Sequence, residues 1–117
     1  MAATVLTNLA VVIDYDDTRN GCAVFPVGNT ANKIRRGDPV RWDSSNNRID
    51  LANAETHFNA FCGSAAEEYT PDQVASKVPT EILVYQVCTI RATLSSVGAA
   101  QSPGSPFKLT TDGSYTP

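Results

Sequence analysis

IRRGDPVRWDSSNNRIDLANAETHFNAFCG, running from Ile34 to Gly63, is the stretch from which the fold can be read. It holds two short alternating runs, Val40-Arg41-Trp42-Asp43 and Arg48-Ile49-Asp50-Leu51. Successive side chains of a strand point to opposite faces, so Val40 and Trp42 share one face and Arg41 and Asp43 the other. Ile49 and Leu51 resume the apolar face, while Arg48 and Asp50 point away. Between the runs, Ser44 to Asn47 tolerate turn and left-handed backbone, and Gly37-Asp38-Pro39 punctuate the approach. Two such runs across a polar loop predict a β-hairpin. Beyond it, Asn53 to His57 reads as one helical turn with Asn53 as N-cap, and Phe58 to Gly63 as a further strand.

Upstream of the hairpin, residues 4 to 13 (TVLTNLAVVI) are β-branched and aliphatic, with no helical period. They fit a first strand of the domain or an extended arm laid on a neighbour's sheet edge. An acidic turn, Asp14 to Asn20, closes the segment at Gly21. Cys22 to Phe25 reads as a short strand stopped by Pro26, which cannot donate a ladder hydrogen bond. Downstream, Ser64 to Pro79 reads as a long loop or helix-like segment with too few apolar positions for a major core element. The strongest strand signal is Glu81 to Ser95 (EILVYQVCTIRATLS), apolar on both parities in its first half and on one in its second. That pattern predicts a strand that starts in a packed core or interface and emerges toward solvent. After Val97 the chain is small and breaker-rich, with Phe107 and Leu109 in a short last strand. The expectation is a mainly β, single small domain, a barrel or sandwich with little helix. Residues 1–20 form an N-terminal arm or first strand and residues 21–117 the β-rich body.

The bulk chemistry excludes more than it selects. Charged residues are scarce at 18 % and the net charge is −3, which argues against non-specific nucleic-acid binding. Three cysteines (Cys22, Cys62, Cys88) form an odd set with no C-x-x-C pair, so neither a disulfide framework nor a zinc site is expected. No apolar run is long enough to cross a bilayer as a helix, and the chain is expected to be soluble and cytoplasmic when made. Catalysis by a nucleophile and base needs partners the chain does not offer near its one histidine, His57. Gly98 to Gly104 has neither the spacing nor the Lys of a phosphate loop. Asp16, Thr18, Asn20 and Gly21 imitate the start of a calcium loop, but Val27 stands where the bidentate Glu belongs. Glu67 and Glu68 are adjacent, with no partner geometry legible. No catalytic, cofactor or metal residues are assigned, and the chain is expected not to be an enzyme.

Gly37, Asp38 and Val40, followed by Phe61, Gly63 and Ala65 and then the run Ile82 to Leu94, match a "G-D-x-V" turn, an "F-x-G-x-A" phrase and a strong strand. In this order, over roughly Gly21 to Leu109, the chain resembles bacteriophage capsid decoration (cement) proteins. The Ser64 to Pro79 insertion is longer and more acidic than that pattern, and Cys88 and Thr89 stand where glycine is common in it. The resemblance implies a β-tulip-like fold and a virion structural protein on the outer capsid surface, a homotrimer at three-fold or quasi-three-fold positions. Such a protein clamps neighbouring major capsid subunits, with no cofactor, no direct nucleic-acid contact and no membrane. It places Val5, Leu6, Leu9, Val11 and Ile13 in an arm against a capsid subunit, and Lys33, Arg35 and Arg36 on a basic rim facing acidic capsid surface. A small β-barrel ligand- or partner-binding module, with Trp42, Phe61 and Tyr85 lining a pocket, is the alternative, as is another phage head or tail protein.

Overall fold

The computed structural model describes residues 5–28, 30–71, 80–94 and 107–116. Within them run β1 (Val11–Tyr15), β2 (Cys22–Pro26), β3 (Pro39–Asp43), β4 (Arg48–Leu51), a 3-10 helix (Glu55–Ala60) and β5 (Phe61–Ala65). Then come β6 (Glu81–Tyr85), β7 (Cys88–Arg91), β8 (Lys108–Leu109) and β9 (Tyr115–Thr116). The fold is mainly β, as expected.

The hairpin forms in the register that the alternation requires, with Val40 opposite Leu51 and Trp42 opposite Ile49. Val40, Ile49 and Leu51 are buried, and Trp42 packs half-buried against them. The loop turns because Asp43 accepts from Ser45 N and Asn46 Nδ2, and because Asn47 takes φ 51°, a left-handed value that asparagine tolerates. The opposite face, to which Asp43 and Asp50 point, is not left to solvent. Instead Asp43 and Asp50 are buried in a polar network. Asp50 Oδ1 accepts from Thr30 Oγ1 and Asn32 Nδ2, both at 2.8 Å, and Arg48 lies 3.8 Å from Asp50 and 3.7 Å from Asp43. The 30–32 segment crosses over this face and supplies the partners that buried carboxylates need.

The hairpin is one end of a five-stranded antiparallel sheet ordered β2-β6-β5-β3-β4. The sheet curls until Phe25 of the first edge strand stands 6.4 Å, ring to ring, from Trp42 of β3. No ladder joins β2 to β4, so the architecture is sandwich-like and not a closed barrel. Val27, Ile34, Val40, Ile49, Ala65, Tyr69, Ile82 and Val84 fill the concave side. Tyr69 and Ala65 come from the segment expected to add little to the core. Tyr69 pairs in an isolated bridge with Ile34, and its hydroxyl donates to the carbonyls of Gly28 and Thr30. Residues 72–79 of that segment lie outside the described residues, as does Ser95.

Three further expectations are corrected. Glu81 to Ser95 is not one strand: β6 ends at Tyr85, and β7 leaves the sheet to pair with β1 in a separate two-stranded ribbon. The break is imposed from outside the run. The Gly21 carbonyl accepts both Gln86 N (2.7 Å) and Val87 N (3.0 Å), which turns the chain out of the ladder. The change from two-sided to one-sided apolar pattern falls at this joint. The strand expected over Phe58 to Gly63 starts at Phe61, because the 3-10 helix runs on to Ala60. Its start is capped in reverse: Asn53 N donates to His57 Nδ1 (3.1 Å), so the histidine, not the asparagine, supplies the side-chain cap.

The last strands, β8 and β9, form a small hairpin that buries Leu109. It joins the ribbon's continuation through a Leu94–Tyr115 bridge and a bond from Tyr115 N to Thr93 O.

Candidate binding surface

The N-terminal segment divides into a buried half and an exposed half. Leu6 is 3 % exposed and belongs to the core, so this one of the five arm residues expected on a partner packs into the chain's own fold. The backbone around it is tied down at three points. Arg35 Nη2 donates to Leu6 O at 2.7 Å, Asn8 N donates to Asp112 O at 2.8 Å, and Gly37 and Gly113 let the segment pass at backbone contact. A Cβ on Gly37 would collide with Ala10 O, and its φ of 96° is one that only glycine adopts freely.

Val5, Leu9, Val11 and Ile13, by contrast, are exposed by 44 to 55 %, and Val87, immediately before β7, by 56 %. Ile13 sits at a bulge in the β1–β7 register, between the pairs Val12↔Ile90 and Asp14↔Thr89. A bulge twists a strand and re-aims a side chain. Among the described residues the ribbon has two strands, so a row of backbone groups lies along β1 without a third strand in that sheet. Val87 and Tyr15 were not among the candidate interface residues. For Val87 the signal is the two-sided apolar character of the run around Tyr85 and Val87; Tyr15 follows the aliphatic stretch 4–13 directly after Asp14.

The three basic residues do not act as one rim. Arg35 is committed to the fold: its backbone N (2.8 Å) and Nε (3.3 Å) donate to Asp38 Oδ2, and Nη2 lies 3.3 Å from Oδ1. Asp38 is fully buried, and burial pushes its carboxyl above the ordinary aspartate value despite the bonds from Arg35. Arg36 is exposed and lies over two rings, 5.4 Å from the Tyr15 centroid and 5.2 Å from that of Tyr85. Those rings stack at 4.4 Å, and Arg36 Nη1 donates to the Tyr85 hydroxyl at 3.1 Å. This clip fixes the end of β1 to the end of β6. Lys33 is half-buried.

A second apolar feature lies between the ribbon's continuation and the β8–β9 hairpin. Phe61, Ile90, Ala92, Leu94, Phe107 and Tyr115 line an open cleft of about 400 Å³. The alternative reading placed Trp42 and Tyr85 in a pocket with Phe61. Trp42 packs against the core and Tyr85 against Tyr15, so only Phe61 of the three reaches the cleft. The Tyr115 hydroxyl is buried without a hydrogen-bond partner among the described residues, and desolvation pushes its pKa up to about 12.

Among the described residues, no three His, Cys, Asp or Glu side chains come together as a metal-binding group. His57 has its pKa lowered by partial burial and by Arg41, and its Nδ1 is occupied by Asn53 N. Cys22, Cys62 and Cys88 are free thiols, each half-buried, with the Cys62 thiol pushed up by desolvation. The chemistry available on this surface is apolar contact, strand-edge hydrogen bonding and cation–π contact. Comparison with known protein families, with curated proteins and with solved structures finds no match.

Proposed function

We propose that the chain is a non-enzymatic structural protein that decorates the outer surface of an icosahedral phage capsid and clamps neighbouring major capsid subunits. The observation that carries this reading is the apolar surface left open on one element. Leu9, Val11 and Ile13 are exposed along the approach to β1 and the strand itself, and Val87 is exposed just before β7 at the ribbon's other end, where a monomer gains nothing from exposing them. A ribbon whose edge is unpaired among the described residues, and which exposes apolar side chains, suits a partner that contributes a strand or a flat apolar patch. Rigid attachment through Arg35, Gly37 and the Tyr15–Tyr85–Arg36 clip presents that face in one orientation. Repetition over a shell converts modest contacts into firm attachment. A homotrimer at three-fold positions belongs to this proposal.

Co-sedimentation with expanded shells of the major capsid protein from the same genome tests it. The expected result is saturable binding, a higher shell disruption temperature, and a trimeric mass in solution or on the shell. A protein that never co-sediments with any such shell overturns the proposal.

The second reading, a small partner- or ligand-binding module, is favoured by the cleft lined by Phe61, Ile90, Leu94 and Phe107. Its volume lies in the range of small-molecule sites. Displacement of an apolar fluorescent dye, lost in Ile90→Asp and kept in Ile13→Asp, would support that module over shell binding.

A further inference from the structure

We propose that Asn20 is a spontaneous deamidation site whose rate is set by the Asp16–Thr18 turn. Asn20-Gly21 is the one Asn-Gly pair in the chain, and the fold requires its glycine. A Cβ on Gly21 would collide with both the side chain and the carbonyl of Asp16, so no larger residue can stand there. Asn20 itself is exposed, with water at hand. The turn therefore keeps after Asn20 a glycine, the residue whose backbone nitrogen is least shielded by a side chain.

The chemistry balances with water as the only co-reactant. The Gly21 amide nitrogen loses its proton and attacks the Asn20 side-chain carbonyl. The C–N bond to the side-chain nitrogen breaks, ammonia leaves, and a five-membered imide remains. Water then opens the imide at either carbonyl, giving aspartate or isoaspartate at position 20.

The native turn holds the nucleophile away. Gly21 N donates to Thr18 O at 2.9 Å, and Cys22 N shares that acceptor at 3.0 Å. Thr18 is fixed in turn by Asp16, whose Oδ1 accepts from Thr18 N (2.9 Å) and Thr18 Oγ1 (2.6 Å). Attack requires Gly21 N to break from Thr18 O, so opening of this turn gates the reaction. The site also matters to the fold. The Gly21 carbonyl accepts Gln86 N and Val87 N at the joint between β6 and β7, and isoaspartate would lengthen the backbone immediately before it. Asp112-Gly113 is the corresponding aspartyl pair, but Ser114 and Thr110 hold the Asp112 carboxylate ionised, with a pKa of about 2. An ionised carboxylate is a poor electrophile, so this pair serves as an internal control.

The test is incubation at pH 8 and 37 °C, with peptide mass spectrometry following ammonia loss and isoaspartate at position 20. The native chain is expected to age more slowly than the same chain in urea. Thr18→Ala is expected to age about five- to tenfold faster than native, the weight of one turn hydrogen bond. Thr18→Ser is expected to keep the native rate, Asp16→Ala to exceed Thr18→Ala, and Asn20→Gln to remove the signal. A native rate equal to that in urea, or equal rates for native and both turn variants, would overturn the proposal.

Discussion

Arg35 concentrates most of what a single residue does in this chain. Its guanidinium joins the buried Asp38 carboxylate to the carbonyl of Leu6, 29 residues upstream, so one side chain fixes the turn and the N-terminal segment together. Removing one partner of a buried pair leaves the other charge uncompensated. Arg35→Met is expected to cost about 2–4 kcal/mol, at or below the usual range because Arg35 keeps some exposure. Denaturant midpoints measure this, and the cost has a pH signature. Asp38 already has a raised folded pKa, dominated by desolvation, and loss of Arg35 raises it further. Below the ordinary aspartate pKa the carboxyl is protonated in both folded and unfolded chains, so the variant's deficit should shrink in acid and grow as pH rises. A deficit that is flat between pH 3 and 7 would refute this account. His57 titrates with the opposite sign. Its folded pKa lies below the unfolded 6.5, so the neutral ring that accepts Asn53 N is the favoured form. Its contribution is fully present above pH 6.5 and is lost as pH falls through the folded pKa. His57→Gln should flatten the stability profile between pH 5 and 7, and NMR titration of the ring should place its midpoint below 6.5.

At the scale of elements, the β1–β7 ribbon depends on contacts at its ends more than on its two-strand ladder, since an isolated pair of strands is marginal in water. One end is the Tyr15–Tyr85 stack under Arg36. Aromatic pairs contribute about 1 kcal/mol beyond area burial, with a similar amount from a partly exposed cation–π contact. Tyr15→Ala is therefore expected to speed amide exchange in Val11–Tyr15 and Cys88–Arg91 by roughly 30-fold. Protection in β3, β4 and β5 should stay unchanged, whereas uniform loss across both sheets would mean that the ribbon is no separate unit. This boundary was only half legible in the sequence. The β3–β4 hairpin is legible because alternation and turn residues lie within a dozen positions of one another. The break between β6 and β7 was missed because its cause, the Gly21 carbonyl, lies 65 residues away. Gln86, the single polar residue in the apolar parity of Ile82 to Leu94, marked the place without giving the reason. The same limit hid the anchoring of Arg35, whose partners Leu6 O and Asn8 O are backbone atoms that no side-chain pattern announces. The burial of Asp43 and Asp50 was also hidden, since alternation sorts side chains to faces but cannot tell which face another segment will cover.

Over the whole molecule, apolar side chains are divided between two purposes, and the division predicts separable variants. Leu6 and the residues under the five-stranded sheet hold the fold, while Val11 and Ile13 stay 52 and 55 % exposed on the ribbon. Exposed substitutions away from special features usually change stability by no more than about 0.5 kcal/mol, and threonine keeps the β-branched shape that a strand favours. Val11→Thr combined with Ile13→Thr should therefore leave the thermal midpoint within a few degrees of the native chain. On a shell the same pair should matter. Completing the burial of two half-exposed aliphatic side chains gains about 1 kcal/mol each, so losing both weakens one contact by on the order of 30-fold. Val24→Thr is the matched control, since Val24 is equally exposed at 55 % but lies on β2 at the edge of the other sheet. Occupancy of expanded shells across a concentration series should fall for the double variant and hold for Val24→Thr. If both variants lose occupancy equally, attachment is spread over the surface. If neither does, the ribbon is not the docking face.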